Sequence, residues 1–143
     1  MKLKKTFAVV VAAAALIAAA CGDKGPSAED ADRVVEVSMK DNAFDPNSLS
    51  VKSGETVTFK FTNDGAVDHD AFIGGADAQE EHGESMDSGE MEGHNMDDGD
   101  SLLLEPGKSG ELTHTFEDSG EVLIGCHQPG HYEAGMKSTI TVS

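Results

Sequence analysis

Cys126, His131 and Met136 recur five residues apart in the segment Gly125-Cys126-His127-Gln128-Pro129-Gly130-His131-Tyr132-Glu133-Ala134-Gly135-Met136. Thiolate and thioether are soft ligands and imidazole suits the same metals, so the Cys-x4-His-x4-Met spacing points to copper. Two imidazoles and one thiolate in a plane, with a long axial bond to a thioether, form the copper arrangement used to pass single electrons. This one loop would supply three of those four groups. Pro129-Gly130 reads as the turn that shapes it. His127 follows Cys126 directly and competes with His131. Adjacent side chains diverge, however, and His131 fits the spacing better, which leaves His127 facing solvent on the rim of the site. Tyr132 is expected to pack at the loop edge.

A second set of soft ligands lies in residues 77–100, where His82, Met86, Met91, His94 and Met96 recur among ten acids with no Lys or Arg. Thioethers and imidazoles suit Cu(I), and the acids attract cations. The spacing matches no fixed geometry, so two readings stand: weak secondary copper capture, or an acidic loop with no bound metal. The acids do not form a calcium loop, since no Asp-x-Asp-x-Asp-Gly with a closing Glu occurs.

The elements that must hold these residues read as strands. From Arg33 the pattern has period two, with Val35, Val37 and Met39 on one face. Leu49 and Val51 begin a second strand after the Asp45-Pro46-Asn47 turn. Glu55 to Thr62 alternates, Val57, Phe59 and Phe61 facing one way and Thr56, Thr58, Lys60 and Thr62 the other. Asn63-Asp64-Gly65 reads as closing a hairpin. A strand over Val67 to Ile73 then puts Val67, His69, Ala71 and Ile73 on one face, which makes His69 the best source of the second imidazole. Further strands are expected at Ser101–Leu104, Gly110–Glu117, Glu121–Ile124 and Lys137–Val142. His114 alternates with Leu112 and Phe116 and reads as a core or sheet-edge histidine. About eight short strands predict an all-β, antiparallel Greek-key β-sandwich. No amphipathic helix is expected after the first 20 residues, and residues 77–100 are expected to form a long acidic loop insertion.

Both ends of the problem constrain Cys126. Met1-Lys2-Leu3-Lys4-Lys5 followed by an apolar run from Phe7 to Ala20 reads as a secretory signal, too short and wrongly flanked to span a membrane. Small residues before Cys21 give it a lipoprotein character, although Ala18 stands where such signals usually carry Leu. Residues 1–20 are thus expected to be removed, Cys21 to carry lipid, and residues 21–32 to form a flexible tether to a domain spanning 33–143. The chain has two cysteines. With Cys21 lipidated, Cys126 has no disulfide partner, and metal ligation explains an unpaired thiol in an oxidising compartment. The formal charge of −17 argues against nucleic acid as a partner.

With these residues in view, the chain resembles the cupredoxins, the family of plastocyanin and azurin. Ala43-Phe44-Asp45-Pro46 with Leu49-Ser50-Val51-Lys52-Ser53-Gly54-Glu55-Thr56-Val57 looks like their early strands. Thr62-Asn63-Asp64-Gly65 before His69 looks like the approach to their first ligand. Pro106-Gly107 to Phe116 and the closing loop complete a likeness covering about residues 33–143. It is most similar to exported bacterial cupredoxins with a His/Met-bearing insertion, some linked to copper tolerance. The resemblance implies His69, Cys126, His131 and Met136 as ligands of one type 1 copper. Asp70 stands where better-known members often have Asn, in a neighbourhood that hydrogen-bonds the cysteine sulfur.

Two functions are expected on this basis. One is one-electron transfer outside the cytoplasm by a monomer held at the membrane surface through lipid, with a redox partner that the acidic surface would make basic. The other is copper handling, as chaperone, scavenger or resistance factor, with a copper donor or acceptor protein as partner. Catalysis is not expected: no His-x-His pair for further copper centres occurs, and no general acid, base or substrate pocket can be named.

Overall fold

The computed structural model describes residues 26–88 and 100–143. The signal, Cys21 and the first part of the tether lie outside the described residues, as do Met91, His94 and Met96.

Alternation in Glu55–Asn63 (β4) builds the centre of one sheet. Val57, Phe59 and Phe61 are fully buried on one face. On the other face Thr56, Thr58 and Thr62 meet Thr115, Thr113 and Ser109 of β7 (Ser109–Phe116) through paired hydroxyls at 2.9, 2.8 and 3.0 Å. β1 (Arg33–Lys40) flanks β4 on its other side, and β2 (Ala43–Asp45) completes the sheet in the order β2-β1-β4-β7. The second sheet has the order β3-β9-β8-β5-β6, from β3 (Ser48–Val51), β5 (His69–Gly74), β6 (Ser101–Leu104), β8 (Gly120–Gly125) and β9 (Lys137–Val142). The two inner faces close on one core, where Phe59 contacts Phe61 and Phe116, and Phe44 meets Phe61 edge-on. Each ring contributes about 2–3 kcal/mol by burial. Net stability of a domain this size is only ~5–15 kcal/mol, so the burial of these rings is a large term in the fold.

The β-sandwich follows the sequence pattern, with three differences among the strands. Two pairings are parallel, β1 with β4 and β3 with β9. Asn63-Asp64-Gly65 does not close a hairpin: β4 and β5 belong to different sheets, and the segment between them crosses over. Val67 lies in that crossover and is exposed, so β5 begins at His69.

The largest difference concerns the expected acidic loop. Its first half is a helix, α1 (Ala76–Ser88). α1 packs on β5 and β8 through a polar face, with Gln79 and His82 buried one turn apart. Gln79 Nε2 donates to the carbonyls of Phe72 (3.0 Å), Gly74 (3.3 Å) and Leu123 (2.9 Å). A helix seated by hydrogen bonds shows no apolar stripe, which is why the sequence pattern hides it.

Candidate metal centre

His69, Cys126 and His131 offer ligand atoms that all lie within 4.8 Å of one another. The three come from two sources. His69 opens β5, and its position is set by the crossover. There the buried Asn63 side chain donates to the carbonyls of Val67 and Leu104, both at 2.8 Å, and accepts from the Gly65 amide at 2.9 Å. Cys126 follows the end of β8, and the loop after it turns back so that the Cys126 amide donates to the Met136 carbonyl (3.2 Å) and the Met136 amide to the His131 carbonyl (2.9 Å). Met136, fully buried, is thereby tied by its backbone to both other loop residues.

Both imidazoles turn the same nitrogen toward the sulfur: Nδ1 of His131 lies 3.4 Å from Cys126 Sγ, and Nδ1 of His69 lies 3.8 Å from it. Nε2 of His69 faces the other way, 3.4 Å from Asp41 Oδ1. A carboxylate there fixes the proton on Nε2 and leaves the Nδ1 lone pair free for a metal. Asp41 is itself placed by the Ala66 amide at 2.9 Å, which holds its carboxyl below the usual range, helped by the His69 ring. Sequence reasoning missed Asp41, since a carboxylate 28 positions before its partner leaves no local pattern. Replacing it with alanine should weaken copper binding by about 10–100-fold, the usual loss when a partner of a metal-bound histidine is removed. Competition titration against a chromophoric chelator reads that change, and an unaltered affinity would show that Asp41 does not orient His69.

The sulfur sits in a different setting. Cys126 is fully buried and its S–H donates to Asp70 Oδ1 at 3.4 Å. Burial, and then the negative charge of Asp70, push the thiol from its ordinary 9.0 up to about 12. The metal-free protein therefore carries a neutral thiol at pH 7, and a metal cation must displace its proton. Copper uptake should release one proton through Cys126 and strengthen about tenfold per pH unit from that site alone. The same shift has an opposite sign for stability. A folded-state value above the unfolded one gives stability that is complete below pH 9 and is lost as the pH rises toward 12. Urea unfolding of the metal-free protein should thus show the parent losing stability relative to Cys126→Ser between pH 9 and 12. A pH-independent difference between the two would contradict the buried thiol.

The remaining sequence candidates divide. His127 does not face solvent on the rim. It is half-buried, stacks on Tyr132 with ring centroids 4.4 Å apart, and its Nε2 lies 2.8 Å from Gln79 Oε1. Burial pushes its imidazole below the usual value. Gly125 makes this packing possible, because a Cβ there would collide with Gln79 Oε1 and approach Tyr132 to 2.9 Å. Tyr132 packs at the loop edge as expected, with Lys137 Nζ 4.2 Å from its ring centre. His114 is a partly buried sheet histidine bonded to Asp100 Oδ1 at 2.9 Å. His82 is buried under α1 and stacked on Phe72, with centroids 4.2 Å apart and planes 3° from parallel, so it is not exposed beside Met86 as a collecting loop would require.

A convergent soft sulfur, two imidazole Nδ1 atoms and a buried thioether in the same loop fit copper by donor chemistry. The comparisons agree. The model of the copper-binding plastocyanin/azurin family matches residues 31–143. The copper-resistant cuproprotein CopI of Pseudomonas aeruginosa is 36% identical over 147 residues, covering 83% of this chain and 81% of that one. Auracyanin-A of Chloroflexus aurantiacus is 30% identical over 148 residues, 91% of each chain. The crystal structure of dithionite-reduced auracyanin from Roseiflexus castenholzii superposes with a TM-score of 0.66 at 26% identity, covering 79% of this chain and 98% of that one.

Proposed function

Since the chain belongs to the plastocyanin/azurin family of copper-binding proteins, we propose that it carries single electrons through one type 1 copper held by His69, Cys126, His131 and Met136. The observation that carries this reading is the convergence of three donor atoms within 4.8 Å. A copper ion bound there supplies a one-electron couple between Cu(I) and Cu(II). The protein's part is to keep the donors still. β5 and the Asp41 carboxylate hold His69, the Asp70 carboxylate holds the backbone next to Cys126 through the His127 amide, and the backbone ties within 126–136 hold the loop. Donors fixed beforehand move little between the two oxidation states, which favours fast transfer. Among the three donors within 4.8 Å, His131 is the only one not fully buried, so its ring edge is the exit for the electron. A groove lined by Glu80, Glu84, Asp87 and Glu133 lies beside that loop, between it and α1, which supports a basic redox partner.

Repeated reduction and reoxidation of the copper-loaded protein by small inorganic reagents tests the reading. Full recovery of the visible band over many cycles with no copper lost is the expected result. Release of copper at each reduction would contradict it and favour the second reading, copper handling. That second reading is supported by the likeness to CopI, named as copper-resistant, and by Met86, Met91, His94 and Met96 in the acidic segment. If deletion of residues 89–99 leaves copper stoichiometry and affinity unchanged, that segment is no collecting site. On sequence grounds we read the chain as a monomer exported by residues 1–20 and tethered through lipid on Cys21. Among the described residues, no helix is long and apolar enough to cross a membrane.

A further inference from the structure

Asp70 is fully buried, and its two oxygens are served unequally. Oδ1 lies near three donors: the Cys126 S–H at 3.4 Å, the His127 amide at 2.9 Å and Gln128 Nε2 at 3.4 Å. Oδ2 has no hydrogen-bond partner, and neither does His82 Nε2, which is also buried. These two orphans face each other at 3.6 Å. Among the described residues Asp70 has no Lys or Arg partner, so His82 is the one basic side chain within ion-pair distance. A buried carboxylate oxygen without a donor is costly in an apolar surround, and the one unpartnered donor that faces it is His82 Nε2. His82 is held there from two sides: its ring stacks on Phe72, and the helix that bears it is pinned one turn earlier by Gln79.

We propose that His82, carried by α1, is a positioning residue for the sulfur ligand: its Nε2–H closes on Asp70 Oδ2 and so keeps Oδ1 on the His127 amide, which fixes the backbone beside Cys126. The proposal rests on the assignment of Cys126 as the copper thiolate. It gives the inserted helix a task at the redox centre that neither the strands nor the ligand loop perform. Its electrostatic consequence has a definite sign. The nitrogen–hydrogen dipole of His82 offsets part of the Asp70 charge, which lies beside the sulfur. Losing that donor leaves more negative charge near the thiolate, which favours Cu(II) and lowers the reduction potential.

Two variants separate the donor from the packing. His82→Phe keeps a ring on Phe72 and removes the nitrogen, whereas His82→Gln places an amide N–H near the position of Nε2. Because the lost hydrogen bond is to a charged group, His82→Phe should shift the Cu(I):Cu(II) preference toward Cu(II) by up to about tenfold, or about 59 mV. His82→Gln should return most of that shift. In the metal-free protein the His127 amide, which donates to Asp70, should exchange faster in His82→Phe than in the parent, while the Phe59 amide in the core stays equally protected. Equal potentials and equal His127 exchange in all three proteins would overturn the proposal, as would equal shifts in both variants, which would mean packing alone. The parent supplies a further check that needs no variant: imidazole nitrogen shifts of the metal-free protein should show a proton on His82 Nε2, and a bare Nε2 would overturn it. Absence of a copper–thiolate band in the parent would instead overturn the copper assignment, while the exchange and nitrogen-shift measurements still decide the His82–Asp70 contact.

Discussion

Cys126→Ser is expected to abolish the intense visible absorption of the copper-loaded protein and to weaken copper binding by on the order of a thousandfold. The band arises from charge transfer between a thiolate and Cu(II), and a hydroxyl cannot supply it. The loss of affinity follows from the electrostatics of the site. Cys126 is fully buried and the two histidines are neutral donors, so the thiolate is the one anion among the three donors within 4.8 Å. Removing one partner from a buried pair of charges costs about 3–5 kcal/mol, and each 1.4 kcal/mol is tenfold. The metal-free variant should still fold, because serine retains a hydroxyl for Asp70 and the core rings are untouched. Visible absorption and a competition titration, with circular dichroism as the folding control, check these outcomes. A variant that keeps the band would remove Cys126 from the ligand set.

Gln79→Leu should be the most damaging change outside the ligands. Gln79 is 1% exposed and serves the Phe72, Gly74 and Leu123 carbonyls as well as His127 Nε2. Leucine is similar in volume but strips all of these groups of their partner at once. Each buried polar group left unsatisfied costs about 1–3 kcal/mol, and some of the carbonyls regain water as α1 loosens, so a net loss of about 3 kcal/mol is expected. For a domain of this size that lowers Tm by about 10 °C. Differential scanning calorimetry of the metal-free protein reads it. A Tm within about 2 °C of the parent would mean that α1 is not seated by this side chain. Loosened α1 also carries His82 away from Asp70 and Gly83 away from His127, so the variant should report at the copper site as well as in stability.

The ligand loop and the strands were legible because their signals are local. Cys126, His131 and Met136 sit in one short segment, and Val57, Phe59 and Phe61 alternate cleanly in another. His69 was legible from its inward face on a strand, although that strand starts at His69 rather than Val67 because the crossover from β4 exposes Val67. The parallel pairings were not legible, since alternation fixes which face a residue shows but not which strand lies beside it. α1 was hidden for a physical reason. Its buried face is Gln79 and His82 rather than Leu and Val, so a test for apolar period finds nothing, and Gly83 lowers helix propensity further. The usable signal was weaker: a Gln and a His three residues apart, after an Ala-rich start with Asp77 in the first turn. His127 was misread for the same cause, because the groups that bury it, Gln79 and Gly83, come from that unrecognised helix.

The most direct test of the copper assignment is a copper anomalous difference map from crystals of the protein loaded with one equivalent of Cu(II). A single strong peak is expected among Cys126 Sγ, His69 Nδ1 and His131 Nδ1, next to Met136. A peak elsewhere, on the Met86-bearing end of α1 or on the acidic surface, with the triangle of donor atoms empty, would contradict it.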